Sequence, residues 1–172
     1  MHPYSALYAV ALGGLAACAI APSAQAAPPT HLTRSIIVQA PPSTVWRLVG
    51  PFCTIGTWHP AIGSCRLDDT KQPTRTLVTK DGAATFVELE VARNDAAHRY
   101  SYSFTSAPVP VSNYVSTFSV RANGRYSSVV TWSSDYIPNA GQETAAETML
   151  TGIYDSGLAA IRDRFTAPQL AH

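Results

Sequence analysis

Charge is scarce in this sequence. Only 13% of its 172 residues are Asp, Glu, Lys or Arg, the formal net charge is +1, and no run of Lys or Arg occurs. A nucleic-acid surface draws its affinity from neutralising phosphates, so no nucleic-acid partner is expected. Histidine is sparse too. His2, His31, His98 and His172 fall in the leader, near the termini or in a turn, which leaves His59 alone in a plausible site. No second histidine stands at ligand spacing, so no metal site is expected. A phosphate-cradling glycine loop, a nucleophile motif and a Ser-His-Asp arrangement are all missing, and no cofactor is implied. No apolar run has the length of a membrane span. The longest, Ala6 to Ala21, is short, contains Gly13 and Gly14 and is followed by Pro22.

That run reads instead as an export leader. Ser23-Ala24-Gln25-Ala26 offers a small-residue cleavage signal, giving a signal peptide over 1–26. Leu15-Ala16-Ala17-Cys18 also has the form of a lipobox. On that reading the leader ends at residue 17 and a lipidated Cys18 tethers the protein to a membrane. Either way the protein is expected outside the cytoplasm, in a bacterial periplasm or secreted, with a linker over 27–33 and one domain over 34–167. Cys53 and Cys65 would then meet an oxidising compartment, where they could bridge. The plainer expectation is two small buried apolar residues.

What the chain does have is apolar material, at 46%, and strong periodicity. Leu150, Ile153, Tyr154, Gly157, Leu158, Ile161 and Phe165 recur at three- and four-residue spacing, the pattern of an amphipathic helix over Thr144 to Phe165. Thr144 and Glu147 suggest a capping box at its start, and Pro168 a stop. Upstream, Leu32 to Ala40 reads as a strand ended by Pro41-Pro42. Ser43 to Val49 reads as a short helix, and Phe52 to Pro60 as a second compact segment. Six strands follow: Ile62 to Asp68, Arg75 to Lys80, Ala84 to Ala92, Arg99 to Thr105, Tyr114 to Val120 and Tyr126 to Tyr136. Asp81-Gly82 and Asn123-Gly124 read as turns, the latter as a tight hairpin. Ala107 to Asn113, with Pro108 and Pro110, reads as a loop.

This order predicts an α+β fold: a curved seven-stranded antiparallel sheet wrapped around one long C-terminal helix, with two short helices after strand 1. A single helix does not fill the concave side of such a sheet, so a cavity is expected between them. Alternation turns Tyr100, Tyr102, Phe104, Tyr114, Ser116, Phe118, Ser128, Val130, Trp132, Ser134 and Tyr136 inward. It places Glu88 and Glu90 on the outer face, unless the register slips by one residue. Arg75 could pair with an acid elsewhere or reach a ligand, and the structural pairing is the favoured expectation. Gly157 in mid-helix costs about 1 kcal/mol relative to Ala, which implies a need for room there.

Several segments together resemble one family. They are Pro42-Ser43-Thr44-Val45-Trp46, Trp58-His59-Pro60, Arg75-Thr76-Leu77 before Asp81-Gly82, Tyr100-Ser101-Tyr102, Pro110-Val111-Ser112-Asn113-Tyr114, Thr131-Trp132-Ser133 and Ile153-Tyr154-Asp155-Ser156-Gly157-Leu158. Their order and spacing resemble the START-like (SRPBCC) superfamily, in its polyketide cyclase/dehydrase and lipid transport branch, over about residues 35–165. The resemblance implies a helix-grip fold and a small hydrophobic ligand such as a lipid, an isoprenoid or an aromatic polyketide-like molecule. Plant abscisic-acid receptors share the fold. By position, Asp81-Gly82-Ala83 corresponds to their gate and Val109-Pro110-Val111 to their latch. The receptor lysine that pairs with the ligand carboxylate falls at Gly63, and the receptor pocket glutamate at Val87, so a neutral ligand is expected here.

The candidate ligand-binding residues are Trp58, His59, Tyr102, Phe104, Pro110, Tyr114, Ser116, Trp132, Ile153, Tyr154 and Gly157. No residue is assigned a catalytic role. The reading is an exported binding or carrier protein. The alternative is a polyketide cyclase or dehydratase using the same pocket, for which His59, Tyr102, Tyr114 and Arg75 are the available polar groups.

Overall fold

Pro41 and Pro42 set the first change of direction. Pro41 is extended, with φ −61° and ψ 152°, and Pro42 opens a helix at a position where its missing N–H costs nothing. The computed structural model describes residues 28–68 and 71–166. The elements run β1 (Thr30–Val38), α1 (Pro42–Val49), α2 (Ile55–Trp58), β2 (Ile62–Asp68), β3 (Thr74–Thr79), β4 (Thr85–Asn94), β5 (Arg99–Ser106), β6 (Val111–Ala122), β7 (Ser128–Pro138) and α3 (Glu143–Thr166). The strands form one seven-stranded antiparallel sheet in the order β1-β7-β6-β5-β4-β3-β2. β1 and β2, far apart in that order, are its two edges. This is the expected helix-grip architecture. None of the described helices is long and apolar enough to cross a membrane.

The stripe of α3 is buried against the sheet at Ala146, Leu150, Tyr154, Gly157, Leu158 and Ile161, while Ile153 and Phe165 sit half-buried at its margins. From the sheet, Tyr100, Tyr102, Tyr114, Ser116, Phe118, Ser128, Val130, Trp132, Ser134 and Tyr136 are all buried, and Phe104 is half-buried. The aromatic rings contact one another face to edge and face to face. Phe118 meets Trp132 at 5.3 Å, and Trp132 stacks on Tyr154 of α3 at 4.5 Å. Such contacts fill most of the concavity.

Several boundaries differ from those read in the sequence. β1 begins at Thr30, so residues 30–33 belong to the sheet and not to a linker; Thr30 to Thr33 pair with Ser133 to Tyr136 of β7. β6 begins at Val111, where a bulge between Ser112 and Val115, with Asn113 at φ 51°, lets the strand continue through residues expected in the loop. The Asn123-Gly124 turn is not a two-residue hairpin. Only Gly124 takes a positive φ, and the loop 123–127 closes through Asn123 N–H donating to Ser127 O at 2.9 Å. α3 starts at Glu143, so Thr144 and Glu147 lie inside it and form no capping box. The Glu143 carboxylate instead accepts from Gly141 N–H at 3.1 Å. The leader, Cys18 and Pro168 lie outside the described residues.

Two corrections reach the core. Glu88 and Glu90 point inward and are buried, together with Phe86, while Val87 and Leu89 are only half-buried. The cause is across the strand: β3 places Arg75, which is wholly buried, directly opposite Glu88. A buried guanidinium needs a counter-charge, and that requirement outweighs the hydrophobic alternation of β4. Cys53 and Cys65 are also not two separate apolar residues. They form a disulfide, their Cα atoms 5.6 Å apart, that ties the segment before α2 to the edge strand β2.

Candidate functional site

Between the sheet, α3 and the α2 segment lies a cavity of about 70 Å³. Of the expected ligand-binding residues, His59, Tyr102, Phe104, Tyr114, Trp132, Ile153 and Tyr154 line it. Trp58, Pro110, Ser116 and Gly157 do not. Trp58 packs behind the wall against His59 and Trp132, its Nε1 buried without a hydrogen-bond partner. Pro110 is half-buried in the β5–β6 loop, where its carbonyl accepts from Asn139 N–H at 2.9 Å. Ser116 and Gly157 support lining residues from behind. Ile55, Ala61, Ile62, Leu77, Thr79, Phe86, Glu88 and Leu150 complete the wall. Leu150 was legible as part of the helix stripe. Glu88 was hidden by its strand's register.

The wall is apolar because its polar atoms bond to one another. The Tyr114 and Tyr154 hydroxyls share a hydrogen bond of 2.6 Å, and Ser116 Oγ stands 3.3 Å from the Tyr154 hydroxyl. Trp132 Nε1–H is shared between the Tyr102 hydroxyl at 2.9 Å and Ser116 Oγ at 3.0 Å, and Ser116 donates to Ser133 O at 2.9 Å. This network joins β5, β6, β7 and α3 through side chains. Burial pushes the Tyr154 phenol up to about 12 and those of Tyr102 and Tyr114 well above their ordinary value, so all three stay neutral.

His59 follows α2 at its C-terminal end. Ala61 N–H donates to its Nδ1 at 3.2 Å, so the ring proton is on Nε2, which donates to Ile153 O on α3 at 3.0 Å. Burial holds its pKa below the ordinary value of 6.5; the Ile153 carbonyl opposes that shift, and the charges of Arg75 and Lys80 add to it. Both ring nitrogens are therefore committed to backbone groups. Gly157 makes the approach possible: a Cβ there would lie 2.7 Å from His59 Cδ2 and 2.9 Å from Trp132 Cζ3.

Glu88, on the cavity wall, pairs with Arg75, which lies behind it. Arg75 Nε donates to Glu88 Oε2 at 2.5 Å, and Nη1 donates to Phe52 O. The guanidinium lies 4.1 Å from the Phe52 ring centre and 4.9 Å from that of Tyr102. Burial raises the pKa of Glu88, against the pull of Arg75. Burial also opposes the charge of Arg75, but Glu88 and the neighbouring tyrosines more than offset this, and its pKa stands above the ordinary value. Glu88 lines the cavity, and no described residue donates to its second oxygen. Among the described residues no group of His, Cys, Asp and Glu could hold a metal ion. Neither segment that resembles a gate or a latch lines the cavity: Asp81, Gly82 and Ala83 do not reach it, nor do Val109, Pro110 and Val111, although Thr79 at the foot of the β3–β4 turn does. Asp81 braces that turn, accepting from Thr79 Oγ at 2.5 Å and from Ala83 N–H at 3.0 Å.

With this geometry in view, the relatives fall into place. No curated protein matches the chain. The solved structure of the protein XoxI from Bacillus cereus is 33% identical, with a TM-score of 0.77, covering 82% of this chain and 99% of that one. A truncated norcoclaurine synthase from Thalictrum flavum is 13% identical, with a TM-score of 0.67, over 84% of this chain and 98% of its own. The Zhui aromatase/cyclase from a Streptomyces species is 14% identical, with a TM-score of 0.63, over 79% and 93%. At such low identity the last two share the fold alone. The family model described as "Polyketide cyclase / dehydrase and lipid transport" matches residues 29–166. The chain belongs to the polyketide cyclase/dehydrase and lipid transport family.

Proposed function

We propose that this protein is an exported binding protein that holds a small, neutral, largely apolar molecule between the sheet and α3. One observation carries the reading. The other polar side chains of the wall, His59, Thr79, Tyr102, Tyr114, Trp132 and Tyr154, have partners within the protein, whereas Glu88 has its Oε2 taken by Arg75 and no donor to its other oxygen among the described residues. A ligand hydroxyl or N–H would satisfy that oxygen, and an apolar body would fill the rest. The Arg75–Glu88 pair is internally neutral, so the ligand needs no charge. Size narrows the class further. A cavity of about 70 Å³ is smaller than the roughly 150 Å³ that admits benzene, so even a single-ring ligand requires the wall to move. A lipid, isoprenoid or polyketide-like ligand therefore enters by opening the grip. Export is supported by the leader sequence and by the Cys53–Cys65 bridge, which suits an oxidising compartment. A lipidated Cys18 would add a membrane tether.

A second reading, a cyclase or dehydratase, draws support from the same carboxylate. Glu88 is buried at the cavity with a raised pKa, a setting in which a carboxyl group can exchange protons with a substrate. His59 lends no support, since both its ring nitrogens are engaged. Native mass spectrometry of protein purified from the exporting cell without detergent, followed by organic extraction, tests the first reading. A neutral mass released on denaturation is expected, and its loss in Glu88→Gln would tie it to the carboxylate. An empty protein that gains no thermal stability from a panel of lipids, isoprenoids and aromatic polyketides would sink the carrier reading. Turnover of such compounds, abolished in Glu88→Gln, would establish the enzyme. The same spectrum reads the mature N-terminus: a start at Ala27 excludes the tether, and a diacylated Cys18 establishes it.

A further inference from the structure

We infer that the outer face of the sheet carries, at the strand ends away from the cavity, a docking patch for a lipid bilayer with anionic headgroups. Arg99 opens β5, and Arg121 stands next to last in β6. Both point outward, because their chain neighbours Tyr100 and Val120 are buried in the core. Arg99 is registered with Ser119, so Arg121 is its diagonal neighbour on the same face. Arg125 follows in the loop 123–127, its guanidinium 5.3 Å from the centre of the Tyr126 ring. All three arginines are exposed, and none makes a side-chain hydrogen bond or ion pair with a described residue. The acid of the neighbouring β4–β5 turn, Asp95, is taken by Arg93 and by Trp46 Nε1. Apolar groups share the patch. Val129 lies between Arg121 and Ile37 in one row across three strands. Ile37 is 53% exposed and Tyr126 67%.

No stretch of the sequence groups these residues; the register of the strands does. Three guanidiniums without counter-charges fit the phosphates of lipid headgroups, which they can grip with two N–H groups at once. Exposed isoleucine and tyrosine gain nothing from a soluble polyanion, but at a bilayer they bury in the boundary between headgroups and chains. The charge at the far end of the strands has the other sign. Asp81 in the β3–β4 turn, Asp135 near the close of β7 and Glu143 and Glu147 at the start of α3 stand there, with Lys80 the one Lys or Arg in those segments. This polarity turns the patch toward an anionic surface and the acidic end away from it. The cavity lies toward the acidic end, where Thr79, Phe86 and Phe104 line it, so a docked protein keeps that end in water. Each arginine should contribute about fivefold to partitioning at low salt, and the three together roughly a hundredfold, which makes the docking reversible. The inference stands apart from the proposed binding role, since no ligand enters it.

Co-sedimentation of the mature protein with vesicles tests it. The quantity read is the ratio of partition coefficients between mixed phosphatidylglycerol/phosphatidylcholine vesicles and pure phosphatidylcholine vesicles, because a lipid on Cys18 would bind both alike. At about 0.05 M sodium chloride the ratio should be at least about tenfold, and at about 0.5 M it should approach one. Arg99→Gln/Arg121→Gln/Arg125→Gln should bring it near one at low salt. Arg66→Gln/Lys71→Gln/Lys80→Gln removes the same charge elsewhere on the surface and should leave most of it. Ile37→Ser/Tyr126→Ser should weaken binding to the anionic vesicles by about threefold or more. Every changed residue is exposed, so the variants should keep the fold. A wild-type ratio near one at low salt overturns the patch. So does an equal loss in the two triple variants, which would make the effect one of net charge. Capture by heparin without capture by vesicles, or wild-type affinity in Ile37→Ser/Tyr126→Ser, would overturn the bilayer as the partner.

Discussion

His59 and Gly157 meet across the cavity edge in a contact that leaves no room for a methyl group. A Cβ on Gly157 would stand 2.7 Å from His59 Cδ2 and 3.0 Å from its Nε2. The ring cannot retreat, because both of its nitrogens are bonded to backbone. Gly157→Ala should therefore destabilise the protein by about 1–3 kcal/mol even though Ala is the better helix former by about 1 kcal/mol. Thermal unfolding measures it. The double variant His59→Ala/Gly157→Ala should be less destabilised than the two single changes added together. Strict additivity, or a stabilised Gly157→Ala, would show that the glycine is not there to seat the histidine.

Arg75 and Glu88 make a second pair whose members depend on each other. Arg75→Leu leaves a carboxylate, and Glu88→Leu a guanidinium, buried without a counter-charge. Each should cost about 3–5 kcal/mol, whereas the double variant Arg75→Leu/Glu88→Leu should recover much of that loss. Urea unfolding of the four proteins completes the cycle. A double variant as unstable as the sum of the singles would mean that the ion pair is not the reason these residues are buried.

This pair also marks where sequence reading stops. The helix stripe from Leu150 to Phe165 and the inward aromatics of β5, β6 and β7 were legible because each has one period and one apolar face. On β4, hydrophobicity favours Val87 and Leu89 inward, and nothing local shows that the buried Arg75 opposite fixes the other register. The disulfide was legible only as the less favoured of two readings, because the approach of Cys53 to Cys65 depends on how α2 folds over β2. Chain pattern does not fix cavity volume either. The same inward residues that suggested an open pocket pack face to edge and leave about 70 Å³. Among the expected pocket residues, Trp58 and Ser116 are inward and correctly spaced, yet they support other side chains and do not line the space.

Acid should weaken the fold through His59. Its folded pKa lies below the ordinary value of 6.5, chiefly because of burial, so the unfolded chain binds the proton more readily. The contribution is fully present above about pH 6.5 and is lost as the pH falls toward the lowered folded value. The unfolding midpoint should drop between about pH 7 and pH 5, with a shallower slope in His59→Phe over the same range. Equal slopes for the two proteins would place the acid sensitivity elsewhere.

Filling the cavity separates a void that packing left behind from a space kept for a ligand. Leu77 is buried on β3 and lines the wall, so Leu77→Phe would place a ring into about 70 Å³ of free volume. If the space is only a packing defect, filling it should raise stability by about 0.5–2 kcal/mol and change nothing else. A space kept for a ligand makes a different prediction: stability held or raised, together with loss of the co-purifying mass and of any thermal shift from added ligand. The second outcome is expected here, because Glu88 lines the same space and no described residue donates to its second oxygen. A packing defect offers no reason for that carboxylate to stand at its wall, since an apolar pair in place of Arg75 and Glu88 would bury at less cost.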